Sequence, residues 1–156
     1  MGRPAGEELK PLIGLDSMIF IYLFELNREH LEEARRVFQE VEAGTLRAVT
    51  STLTLTEIMV KPLREGRKNE ALDYAFTIEN FPNLTVKAPD VATAIKTAEL
   101  RAVYDIKTPD ALHLATAITS GAEVFVSQDV GLKRVKEIAV CPLKDALTPF
   151  KDEAGV

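Results

Sequence analysis

The chain has 156 residues, 46% of them hydrophobic and 28% charged, which suits one globular domain with its own core and excludes a disordered segment. Its formal net charge of −5 argues against binding nucleic acid through a general surplus of Lys and Arg. One cysteine, Cys141, and two histidines exclude an internal disulfide and a Cys/His zinc cluster, so a reducing, cytoplasmic setting is expected.

Leu12–Leu15 is a short apolar run ending at Asp16, and Met18–Phe24 continues apolar, so a strand followed by a helix is predicted. The whole stretch carries Asp16, is too short to span a bilayer and lacks the flanks of a signal peptide, so no membrane association is expected. From His30 to Glu42, Leu31, Ala34, Val37, Phe38 and Val41 fall at the spacing of an amphipathic helix, with Gly44 as its stop. Leu46–Thr50 has β-branched character. Ser51 and Thr52 are capping residues for a helix through Leu53, Ile58 and Met59, which Pro62 is expected to bend or end. Gly66 separates this from a helix over 68–79, and Pro82-Asn83 turns the chain into a strand at Leu84–Lys87.

Pro89-Asp90 opens a helix whose apolar face is Val91, Ile95, Ala98 and Ala102. Thr108-Pro109-Asp110 is a helix start, with a capping threonine, a proline and an acid in the first turn; the helix that follows, 111–119, is apolar nearly all round and predicted to be buried. Val124–Val126 reads as a buried strand ending at Ser127-Gln128-Asp129, and Ile138–Cys141 as a last strand stopped by Pro142. Helices separating short apolar strands predict a three-layer α/β domain with a mostly parallel sheet of roughly five strands. The core is expected over about 12–142, with loose ends at 1–10 and 151–156.

Four acids, Asp16, Glu57, Asp110 and Asp129, follow apolar runs or stand in the first turns of helices. In open parallel sheets ligands bind at the carboxyl ends of the strands, where Asp16 and Asp129 both fall, and Glu57 and Asp110 can face the same edge. Each acid also has a local explanation. Asp16 can cap a helix, Glu57 can be a solvated helix residue, Asp110 is favoured by the helix dipole, and Asp129 can be a turn residue. Carboxylates about 5 Å apart at an effective dielectric near 20 repel by roughly 3 kcal/mol per ionised pair, so a convergent cluster calls for cations. Oxygen ligands without His or Cys suit Mg²⁺ or Mn²⁺, whose chemistry with phosphate oxygens points to hydrolysis of nucleic acid. Lys61, Arg64, Arg67 and Lys68, with Glu65 the one acid among them, form a candidate local RNA-binding track.

Over about Leu12 to Pro142 these residues resemble the PIN-domain nucleases, in particular the VapC-type toxins of toxin and antitoxin pairs. The resemblance is carried in order by Leu15-Asp16-Ser17, Thr54-Leu55-Thr56-Glu57, Asp110-Ala111-Leu112-His113-Leu114-Ala115 and Ser127-Gln128-Asp129. It implies a Rossmann-like sheet, a Mg²⁺ or Mn²⁺ site on the four acids, single-strand-specific endoribonuclease activity, an antitoxin partner and a homodimer. Many members carry Asn where this chain has Met18. Ser17 and Ser127 are expected to support the ligating carboxylates, and His113 to be a hydrogen-bonded histidine at the edge of the core. The alternative is a PIN-like module that binds RNA or protein without catalysis. A phosphoaspartate enzyme built on Asp16 lacks the second acid it needs, since Met18 stands there, and no Gly-rich dinucleotide fingerprint follows any strand.

Overall fold

A computed structural model describes residues 9–151 of the chain. Of the expected loose ends, only Leu9, Lys10 and Lys151 lie inside the described residues, and the Lys10 carbonyl accepts a 3.0 Å hydrogen bond from Arg47 Nε.

Five strands, β1 (Leu12–Leu15), β2 (Arg47–Ser51), β3 (Leu84–Lys87), β4 (Val124–Val126) and β5 (Ala139–Cys141), form one sheet in the order β3-β2-β1-β4-β5. Every neighbouring pair is parallel. Helices α1 (Ser17–Phe24), α2 (Leu31–Ala43), α3 (Leu53–Arg64) and α4 (Lys68–Glu79) pack over one face with Ile13, Leu15, Val124 and Val126. Helices α5 (Val91–Tyr104) and α6 (Thr108–Thr119) cover the other with Phe125. The two-residue period of the strands thus sends Ile13 and Leu15 one way and Gly14 the other, giving the three-layer α/β architecture. Gly14 sits under α6, where an added Cβ would come within 2.5 Å of Ala117 Cβ and 3.0 Å of Phe125 Cδ1, so only glycine lets helix and sheet approach this closely.

Three local details depart from expectation. Thr52 makes no side-chain cap; Ser51 Oγ instead accepts from the Leu53 N–H at 3.1 Å. Helix α3 runs through Pro62 to Arg64, because a proline this near the end removes only one ladder bond. Helix α6 begins at Thr108 itself, with extended Lys107 as its cap residue, which sets Asp110 at the third helical position.

The larger correction concerns α5. Its expected apolar face is turned to solvent, with Val91 77% and Ile95 56% exposed and Ala98 and Ala102 also exposed. The buried face is Thr93, Thr97 and Leu100. These threonines pack closely against α6 because their hydroxyls are satisfied: Thr93 Oγ1 bonds the capping Asp90 at 2.8 Å, and Thr97 Oγ1 donates to the Thr93 carbonyl at 2.7 Å.

Candidate functional site

The chain lays down β1, β2 and β3 outward in one direction and then returns to place β4 on the other side of β1. The carboxyl ends of β1 and β4 therefore flank the point where the strand order reverses, the position at which open α/β sheets form a crevice. Leu15 pairs with Val126, and the Asp16 N–H donates to the Val126 carbonyl at 3.1 Å, so Asp16 and Ser127 stand side by side on that edge.

A continuous hydrogen-bond chain joins four elements there. The Asp129 N–H donates to Ser127 Oγ at 3.1 Å, and Ser127 Oγ donates to Asp16 Oδ2 at 2.7 Å. Asp16 caps α1, its Oδ1 accepting from the Ser17 N–H at 2.7 Å. Ser17 Oγ then donates to Glu57 Oε2 at 3.0 Å, and Glu57 Oε1 meets His113 Nε2 at 2.6 Å. Below this chain, Thr50 Oγ1 donates to the Leu15 carbonyl at 3.1 Å and lies 2.7 Å from Thr54 Oγ1, which fixes the backbone that delivers Asp16.

Burial grades across the site. Asp16, Ser17, Ser127 and His113 are buried, Glu57 and Asp110 are partly exposed, and Asp129 is exposed, its Oδ1 capping a 3₁₀ turn through the Gly131 N–H at 2.9 Å. The hydrogen bond from His113, offset in part by burial, holds the Glu57 carboxyl below the usual carboxylate range. Asp110 stands outside the hydrogen-bond chain but feels it. Burial pushes its carboxyl up, and the charges of Asp16, Asp129 and Glu57 push it further, against a smaller opposing pull from His113. Four carboxylates thus share one region of negative potential.

Among the described residues no three acidic, histidine or cysteine side chains are gathered into a ready ligand group. Asp16, Glu57 and Asp129 are instead held by the hydrogen bonds above. The donor set nonetheless fits a hard divalent cation, since it is all oxygen and one member is already burdened by its neighbours' charge.

The matching family model is that of the PIN domain, over residues 13–138. The chain belongs to the PIN domain family. Its fold is that of the VapC-type structures. VapBC2 from Rickettsia felis bound to a promoter DNA fragment is similar at 16% identity and TM-score 0.68, over 84% of this chain and 98% of that one. A toxin-antitoxin complex from Klebsiella pneumoniae shares 24% identity at TM-score 0.60, over 83% and 96%. Mycobacterium tuberculosis VapC20, described as a sarcin-ricin loop cleaving toxin, shares 16% identity at TM-score 0.62, over 82% and 98%. No curated protein matches the sequence.

In this PIN domain Met18 is 39% exposed. The basic residues of α3 and α4 lie along the helices beyond Glu57: Lys61 pairs with Glu25 at 3.4 Å, and Arg67 pairs with both Glu65 and Glu70. The partnership of His113 with Glu57, and the support from Thr50 and Thr54, were not read from the sequence. The hint available was polar: a histidine and two threonines at positions that the apolar pattern assigns to the core. Among the described residues no helix is long and apolar enough to cross a membrane.

Proposed function

We propose that this PIN domain is a divalent-metal-dependent endoribonuclease, the cytoplasmic toxin of a toxin and antitoxin pair. The observation that carries this reading is the hydrogen-bond chain that runs from Asp129 through Ser127, Asp16 and Ser17 to Glu57 at the carboxyl ends of β1 and β4, beside Asp110, whose carboxyl is raised by burial first and then by the charges of those acids. The likeness to VapC-type structures supports the same assignment.

Asp16, Glu57, Asp110 and Asp129 are the residues that would hold Mg²⁺ or Mn²⁺. When bound, such an ion would polarise the phosphodiester, lower the pKa of a water and offset charge on the leaving oxygen. The chain's own contribution is orientation. Ser127 and the Ser17 N–H fix both oxygens of Asp16, while the Ser17 hydroxyl and His113 fix both oxygens of Glu57, so each carboxylate is held in one orientation. Lys61, Arg64, Arg67 and Lys68 remain proposed contacts for distal RNA.

Two partners follow from this reading. An antitoxin presenting Arg or Lys to the acids would neutralise the site by charge complementarity. A second copy would cover the outward apolar stripe of α5, where Val91, Ile95 and Val103 stand 77%, 56% and 72% exposed.

The test is cleavage of single-stranded RNA with Mg²⁺ or Mn²⁺, expected to cease with chelator and in Asp110→Asn. Undiminished cleavage by that variant would sink the assignment. A non-catalytic PIN module is distinguished by calorimetry, since it would take up no Mn²⁺.

A further inference from the structure

Two of the four members of the basic track, Lys61 with Glu25 and Arg67 with Glu65 and Glu70, are committed to neighbouring acids. Of its other members, Arg64 lies seven residues past Glu57, about 10 Å further along the α3 axis. Different cations flank Asp129 and Asp110 along the chain. Lys133 and Arg134 end the 3₁₀ turn that Asp129 caps, Lys136 follows two residues later, and Lys107 immediately precedes the helix that carries Asp110. All four are exposed, and among the described residues no carboxylate lies within ion-pairing distance of any of them.

Arg134 is the most tightly placed. A Cβ added at Gly131 would meet Asp129 Oδ1 at 3.1 Å and Arg134 Nη1 at 3.9 Å, so the guanidinium borders the same turn as the acid without pairing to it. Its Nη2 donates to the Tyr104 carbonyl at the end of α5. The Tyr104 hydroxyl accepts from the Lys136 N–H at 3.1 Å and donates to Glu137 at 2.8 Å, so the loop that carries Lys107 is latched to the loop that carries Arg134 and Lys136. A guanidinium is a rigid fork of five donors suited to phosphate, and among the described residues Nη2 is the arm engaged with a protein acceptor.

We propose that Arg134, with Lys107, Lys133 and Lys136, forms the track that seats the phosphates of single-stranded RNA against the acidic centre. The proposal rests on the ribonuclease reading for its substrate. Phosphates repeat along a strand, so one can occupy the acid centre while the next meets these cations. An acidic protein segment on the same rim would bring its carboxylates against Asp110 and Asp129 with nothing gained at the centre.

The experiment is fluorescence anisotropy of a labelled short single-stranded RNA over a series of NaCl concentrations, in chelator so that the probe stays intact. Arg134→Ala is expected to weaken binding about tenfold and to flatten the slope of log affinity against log salt by about 0.7. Arg134→Lys should keep the slope. Lys133→Ala/Lys136→Ala, which removes no side-chain hydrogen bond described above, should flatten it by about 1.4 and serves as the variant free of folding loss. Arg35→Ala, which removes one charge on α2 outside both basic tracks, should leave both quantities unchanged. Unaltered affinity and slope in Arg134→Ala and in the lysine pair would overturn the proposal, as would tighter binding of poly-glutamate than of RNA. Cleavage with Mn²⁺ is measured alongside. Arg134-dependent binding without any wild-type cleavage would sink the ribonuclease reading and leave the track, whereas cleavage with Arg134-independent binding would sink the track alone.

Discussion

Asp110→Asn is expected to raise the melting temperature of the metal-free protein while lowering RNA cleavage by at least about 100-fold, since even loss of a partner outside the ligand set costs about 10–100-fold. Burial and the charges of Asp16, Asp129 and Glu57 raise the folded-state pKa of Asp110 above its ordinary 3.8. The folded protein therefore binds this proton more tightly than the unfolded chain does. The favourable contribution is complete below 3.8 and is lost as pH rises through the raised folded value, so at neutral pH the ionised carboxylate is a net cost. Asparagine removes the charge and keeps the shape. For a chain of this size each ~1 kcal/mol regained shifts the midpoint by about 2–4 °C. Calorimetric melting at pH 7 in chelator measures this, and a lower midpoint in Asp110→Asn would contradict it. Mn²⁺ should then stabilise the wild type more than the variant, because only the wild type keeps the full ligand set.

His113→Ala is expected to weaken Mn²⁺ binding by about 10–100-fold, the usual cost of removing a partner that orients a ligand. His113 is buried, and its Nε2 reaches Glu57 Oε1 at 2.6 Å, so without it Glu57 is oriented by Ser17 alone. His113→Gln, which retains an N–H donor, should recover part of the affinity. The same contact has a stability signature. Glu57 is held below its ordinary 4.5 by the hydrogen bond from His113, with burial opposing. That contribution is present above 4.5 and is lost as pH falls through the lowered folded value, so His113→Ala should cost stability at neutral pH and progressively less in acid. Titration calorimetry and melting curves read the two effects separately. Wild-type Mn²⁺ affinity in His113→Ala would remove His113 from the site.

The readable part of this fold was the part written in local pattern. β1 and β4 are short apolar runs with a stop, and Ala34, Val37, Phe38 and Val41 of the expected α2 face are buried as their spacing implies. Asp16 and Asp129 are legible as edge residues because a parallel sheet sends every carboxyl end the same way. The rest depends on pairings that no local pattern encodes. His113 and Glu57 are 56 residues apart and meet only because α3 and α6 converge on one edge from opposite faces of the sheet. Helix α5 misleads for a different reason: its valines and isoleucine mark an apolar stripe, yet the face against α6 needs small side chains with internally satisfied hydroxyls, which Thr93 and Thr97 supply. The basic residues repeat the lesson. A run of cations in sequence, Lys61 to Lys68, is partly spent on local ion pairs, while the loops that carry Lys107 and Arg134 are joined through the Tyr104 latch.

The central claim is that four carboxylates on one sheet edge share a divalent ion. Anomalous diffraction from a Mn²⁺-soaked crystal tests it most directly. The expected result is a peak at the carboxyl ends of β1 and β4, bounded by Asp16, Glu57, Asp110 and Asp129. An empty edge with Mn²⁺ at saturating concentration, or a peak held by other residues, would contradict it.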